Sequence, residues 1–107
     1  MVEDDRDLRE LLVELLRDEG YEAVAAGNGL EGLAMARTHH PDLILLDLLM
    51  PIMNGWQFRA AQALEPALAH VPTVVISDHD HDLRVAASLK KPASIGEVLE
   101  VVHRYAD

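Results

Sequence analysis

Apolar positions along the chain follow two rhythms. Leu8, Leu11, Leu12, Leu15 and Leu16 recur at helical spacing and predict a helix from about Asp7 to Glu19, stopped at Gly20. Tyr21 to Ala26 reads as a short strand. Asn28 is placed to cap a second helix running to about Thr38, with Leu30, Leu33, Ala34 and Met35 as its apolar face. After the turn His39-His40-Pro41, Asp42 to Leu46 holds the most apolar run of the chain. A short continuous run bounded by turn signals is the pattern of a strand buried on both faces. Trp56 to Leu64 reads as a helix halted by Pro66, and Thr73 to Ile76 as another buried strand. Leu83 to Ala87 has room for one or two helical turns, and Ser88 to Lys90 for a strand stub. Ser94, with Glu97 three residues on, forms a capping box for a last helix with the stripe Ile95, Val98, Leu99, Val102 and Tyr105.

Strands and helices therefore alternate, which argues for a parallel sheet covered by helices on both faces. In such sheets ligands bind beyond the C-terminal ends of the strands. Asp47 ends the most apolar run, Glu3 and Asp4 end an N-terminal strand candidate, and Lys91-Pro92 closes a late one. Three carboxylates and a lysine at strand ends suggest a divalent cation and a phosphoryl group.

Composition narrows the class. The 107 residues fit one domain, 1–107, and half of them are hydrophobic, enough for a packed core. With no cysteine, disulfides, thiolate zinc sites and cysteine nucleophiles are excluded. The N-terminus is acidic where a signal peptide is basic, and no apolar run approaches the roughly 18 residues of a membrane span. A cytoplasmic protein is expected. The net charge of −10 argues against direct nucleic-acid binding, which draws its affinity from Lys and Arg on phosphates, and favours a cation or a basic protein surface as partner.

The chain resembles the response-regulator receiver domains of two-component signalling, the CheY-like superfamily. The resemblance rests on Val2-Glu3-Asp4-Asp5 with Arg9 downstream, Gly20-Tyr21, and Pro41-Asp42-Leu43-Ile44-Leu45-Leu46-Asp47. It continues through Met50-Pro51, Met53-Asn54-Gly55, Val71-Pro72 before a run ending in Ser77, and Lys91-Pro92. It implies a doubly wound α/β fold with a five-stranded parallel sheet in the order 2-1-3-4-5, flavodoxin-like. It implies Asp47 as phospho-acceptor, Ser77 as switch hydroxyl and Lys91 as the phosphoryl contact. Mg²⁺ would be held by Glu3, Asp4, Asp47 and the backbone carbonyl of Leu49. The phosphoryl group would come from a histidine kinase or phosphotransfer protein. The chemistry agrees: phosphoryl transfer needs positioning and charge neutralisation, and Mg²⁺ takes hard oxygen ligands.

The expected function is a stand-alone receiver that signals by protein contact, with no direct nucleic-acid or membrane partner and with homodimerisation compatible. Its catalysis would amount at most to its own Mg²⁺-dependent phosphorylation and dephosphorylation. The alternative is a degenerate receiver that binds or dimerises without phosphorylation. A third reading, a small Mg²⁺-dependent phosphatase or hydrolase, is weakened by Leu49, which stands where a second, proton-transferring acid is wanted.

Three departures from the family mark this sequence. Only Met1 and Val2 precede Glu3, against the about 5–6 residues of an ordinary strand. Ser77 and Lys91 are 14 positions apart (91 − 77), at the floor for a parallel crossover of at least about 10–12 residues plus a strand. The fifth strand lacks the family's aromatic, whose place falls on Ser88. A shortened first strand and a shortened fourth helix and fifth strand are therefore expected. Two further patterns mislead. Gly27-Asn28-Gly29-Leu30-Glu31-Gly32 fits a dinucleotide fingerprint, with Asp47 twenty positions on (47 − 27). The chain is too short for two mononucleotide halves, and a turn and helix start explain the glycines. Asp78-His79-Asp80-His81-Asp82 alternates metal-ligand types but reads as a solvated polar loop.

Overall fold

The structure, a computed structural model, describes residues 1–2, 6–48, 52–77, 83–91 and 94–106. In chain order the elements are α1 (Arg6–Asp18), α2 (Gly29–His39), β1 (Ile44–Leu46), α3 (Gly55–Leu64), β2 (Thr73–Ser77), β3 (Ala87–Lys90) and α4 (Ile95–Ala106). The three strands form a parallel sheet in the order β1-β2-β3. Val2 extends it beyond β1 through parallel bridges to Leu46 on one side and Ala26 on the other. From edge to edge the order is thus Ala26, Val2, β1, β2, β3, the 2-1-3-4-5 arrangement expected from the sequence.

Burial explains why the strands form where they do. Every residue of β1 and β2 is buried, as parallel strands covered on both faces require. Alternation along β1 divides the core. Ile44 and Leu46 join Leu33 and Ala36 of α2 and Phe58 of α3 on one face. Leu45 joins Val74 and Ile76 of β2, Leu12 and Leu16 of α1, and Val98, Val101 and Val102 of α4 on the other. β3 is half-buried: Ala87 and Leu89 pack on the α4 face while Ser88 and Lys90 are exposed.

Several expectations shift in detail. Tyr21 to Ala26 is not a regular strand: among the described residues its one ladder pairing is the bridge of Ala26 to Val2. Ala26 N donates to Met1 O (2.9 Å), and the Met1 ammonium donates to Val24 O (2.9 Å); burial lowers that amine to a pKa of about 6. In α1, Leu12, Val13 and Leu16 are buried while Leu11 is exposed, so the buried face keeps part of the leucine stripe and is displaced from it toward Val13. In α2 the buried residues are Gly29, Gly32, Leu33 and Ala36, and Leu30 and Ala34 face outward. In α4 Val101 replaces Ile95 in the core. Among the described residues between β2 and β3 there is no helix, since 83–85 are irregular and β3 begins at Ala87. Arg59 Nε of α3 donates to Arg84 O (3.2 Å), and Tyr105 Oη of α4 to Ala86 O (3.0 Å). These two side chains hold the end of the short crossover from opposite sides of the sheet.

The helix caps follow the sequence closely. Asn28 Oδ1 accepts from Glu31 N (2.9 Å). Ser94 Oγ accepts from Glu97 N (3.1 Å) and Glu97 Oε1 from Ser94 N (3.3 Å). Asn54 and Gln57 form a capping box at α3. The exposed pair Arg37–Glu65 links the ends of α2 and α3, and that hydrogen bond holds the Glu65 carboxyl below its usual range. No helix among the described residues is long and apolar enough to cross a membrane.

Candidate functional site

The site is set by backbone pairing at the C-terminal edge of the sheet. Val2 N donates to Leu45 O (2.8 Å), and Asp47 N donates to Val2 O (2.9 Å). Asp47 is therefore fixed one residue past β1, and it is only 4% exposed. On the other side of the site, β2 and β3 pair Ser77 with Lys90, and Lys91 N donates to Ser77 O (2.9 Å). That register puts the Lys91 side chain over β1's end, with Nζ 3.4 Å from Asp47 Oδ2. Lys90, one residue earlier, is exposed. Ser77, the last residue of β2, is 2% exposed. Burying a carboxylate is costly without a counter-charge or strong donors, and Lys91 supplies a counter-charge.

The structure thus brings Asp47, Ser77 and Lys91 to one edge from three strand ends. Glu3, Asp4 and Leu49 lie outside the described residues, as do Asp78 to Asp82. Among the described residues no three His, Asp or Glu side chains gather into a metal-binding group.

Two features of the neighbouring loop were not legible in the sequence. Gly55 N donates to Leu48 O (2.8 Å), closing the loop that follows Asp47, and a Cβ on Gly55 would lie 2.6 Å from Asp47 O. Gly29 N donates to Met53 O (3.0 Å), and a Cβ there would lie 2.4 Å from that same oxygen. Gly32 packs against Val2 and Phe58, so the fingerprint-like glycines serve close packing at the start of α2. The signal for Gly29 was present in the motif, but its loop partner was not.

Ile52 occupies the left-handed region at φ 68° with its side chain 76% exposed. A β-branched residue is disfavoured there, by about 1–2 kcal/mol relative to glycine. Ile52→Asn is expected to raise stability by about 1 kcal/mol, since Asn tolerates this conformation and little buried area is lost. A urea midpoint no higher than wild type would show that the left-handed turn carries no strain.

The fold defines a doubly wound parallel α/β protein whose polar site lies at the C-terminal strand edge. The chain belongs to the response regulator receiver domain family, whose sequence profile matches residues 1–100. Asp phosphorylation and Mg²⁺ dependence are general properties of that family, which acts with histidine kinases or phosphotransfer proteins. One relative is the polar-differentiation response regulator DivK of Brucella ovis, 30% identical over 113 residues, spanning 98% of this chain and 92% of DivK. At least six positions of that alignment (113 − 107) have no residue in this chain. Among solved structures, the Vibrio cholerae chemotaxis protein CheY4 matches with a TM-score of 0.89 and 26% identity, over 97% of this chain and 93% of that one. The signal receiver domain of a histidine kinase from Syntrophus aciditrophicus matches with a TM-score of 0.89 and 25% identity, over 98% and 86%.

Proposed function

We propose that this receiver domain, residues 1–107, is phosphorylated on Asp47 with the help of Mg²⁺, by a histidine kinase or phosphotransfer protein, and signals through protein contact. The observation that carries the reading is the buried Asp47 carboxylate with Lys91 Nζ at 3.4 Å. In the reaction an Asp47 carboxylate oxygen forms a bond to phosphorus. The donor's bond to phosphorus breaks, and the donor leaves with its electron pair. Lys91 offsets charge on the phosphoryl oxygens, and the Ser77 hydroxyl donates to one of them. A carboxylate nucleophile gives a mixed anhydride that water hydrolyses, so the mark is transient.

The proposed Mg²⁺ donors are the carboxylates of Glu3, Asp4 and Asp47 and the carbonyl of Leu49, an all-oxygen set suited to that ion. Val2 is bridged to Leu46, and Glu3 and Asp4 follow it directly in sequence, which supports their approach to Asp47. Bound there, the ion supplies charge neutralisation for the transferring group.

A small acyl phosphate with Mg²⁺ should add one phosphoryl mass to the intact protein, and a chelator should prevent it. No added mass under any Mg²⁺ concentration would favour the phosphorylation-independent binding module instead. The two lysines give a sharper test. Lys91→Ala should slow phosphorylation or weaken its consequences, and it should lower Tm without Mg²⁺, because the buried Asp47 carboxylate loses its counter-charge, with Mg²⁺ restoring much of the loss. Lys90→Ala should behave as wild type. Equal behaviour of the two variants would remove Lys91 from the mechanism.

A further inference from the structure

We infer that Asn28 and Asn54 are deamidation sites that the fold holds shut, each with the glycine after it as the attacking nitrogen. The chain has two asparagines, and each is followed by glycine, as Asn28-Gly29 and Asn54-Gly55. Glycine has no side chain to shield its amide nitrogen and leaves the backbone free to turn, so such a pair closes on itself readily in a mobile chain. In the reaction the glycine nitrogen loses its proton to hydroxide or a buffer base and forms a bond to Asn Cγ. The Cγ–Nδ2 bond breaks, and ammonia leaves with that electron pair and a proton. Water then opens the succinimide ring. Attack at one carbonyl gives aspartate, and attack at the other gives isoaspartate, in which the backbone runs through the former side chain.

The folded chain blocks each part of that step. The nucleophiles are occupied: Gly29 N donates to Met53 O at 3.0 Å and Gly55 N to Leu48 O at 2.8 Å, and both glycines are buried, away from a solvent base. The electrophiles are held as helix caps: Asn28 Oδ1 accepts from Glu31 N and Asn54 Oδ1 from Gln57 N, each at 2.9 Å. Both Asn backbones are extended, with ψ of 168° and 176°, whereas ring closure must swing the glycine nitrogen about the Asn Cα–C bond onto Cγ. Each cap must therefore release before its ring can form. The two locks differ in strength. Asn54 N also donates to Gln57 Oε1 at 3.0 Å, which completes a reciprocal capping box, and Asn28 lacks that second bond among the described residues. The products differ too. Aspartate at 54 keeps the cap, because Asp caps as well as Asn. Isoaspartate there lengthens the backbone by a methylene between the Met53 carbonyl that Gly29 holds and the Gly55 amide that Leu48 holds.

The test incubates the protein at mildly alkaline pH, in buffer and in concentrated urea, and follows isoaspartate at each site by enzymatic methylation and peptide mapping. In urea the two sites should convert at similar rates. In buffer both should be slower by roughly tenfold or more, with Asn28 ahead of Asn54, since local opening of a helix start is the route to reaction. Gln57→Ala removes the side-chain half of the Asn54 box from an exposed position. Its rate at Asn54 in buffer should rise toward that of Asn28, while its rate in urea stays at the wild-type value. No isoaspartate in urea would remove both asparagines as sites. Rates in buffer equal to those in urea would show that the fold shuts neither. An Asn54 rate in buffer above that of Asn28, or untouched by Gln57→Ala, would overturn the cap bonds as the lock.

Discussion

Asp47→Asn is expected to take up no phosphoryl group where the wild-type protein gains one. The substitution keeps size and shape but removes the nucleophile, because an amide oxygen does not form an acyl phosphate under these conditions. The stability effect should be small, within about 1 kcal/mol. Breaking a fully buried ion pair by removing one partner costs about 3–5 kcal/mol. Here the Lys91 side chain retains 24% exposure and can turn toward water, which lowers that cost. Removing one carboxylate from the proposed group with Glu3 and Asp4 also relieves like-charge repulsion. Intact mass after exposure to the phosphodonor, together with a thermal melt, reads both effects. Undiminished labelling in a folded Asp47→Asn protein would mean the acceptor lies elsewhere.

The large features were legible because each has a strong one-dimensional signal. The continuous run Leu43 to Leu46 marks a strand buried on both faces, and the structure places β1 within it. Asn28 and Ser94 announce helix starts through their own side chains, and both cap as expected. The helix faces were harder. A leucine stripe does not say which side of α1 meets the sheet, and Val13 entered the core in place of Leu11 because the partners lie elsewhere in sequence. Burial of Gln62 was invisible for a similar reason. A glutamine in a helix reads as surface until a distant turn supplies its partners. Asp47 and Lys91 were read as groups at strand ends and Ser77 from family resemblance, since the three lie 30 and 14 positions apart (77 − 47 and 91 − 77) and no local pattern joins them. What joins them is strand register: Ser77 beside Lys90, and Asp47 beside Val2 through its amide.

Gln62→Ala is expected to lower stability by about 3 kcal/mol, the largest single loss outside the apolar core. Gln62 is completely buried on α3, and most of its amide hydrogen bonds go to the connection to β2, with Arg59 Nη1 of its own helix also donating to Oε1 (3.3 Å). Nε2 donates to Leu68 O and Val71 O, both at 3.1 Å, and Oε1 accepts from Thr73 Oγ1 at 3.0 Å. Those partners are the turn between α3 and β2 and the first residue of β2. Truncation leaves Leu68 O with only the Val71 N bond (3.0 Å) and leaves Val71 O and Thr73 Oγ1 with their long mutual contact (3.4 Å), and a buried group left without a good partner costs about 1–3 kcal/mol. A cavity adds to this, while water entering that cavity reduces it. Gln62→Leu separates the causes. It restores volume but no hydrogen bond, so it should be no more stable than Gln62→Ala if satisfaction of the turn is what matters. Thr73→Val removes only one member and should cost about 1 kcal/mol, and the double variant should cost less than the sum, because the two share a bond. Urea midpoints for the three single variants and the pair measure this directly. A Gln62→Leu protein as stable as wild type would show that volume, and not the amide, holds the start of β2, the strand that ends in Ser77.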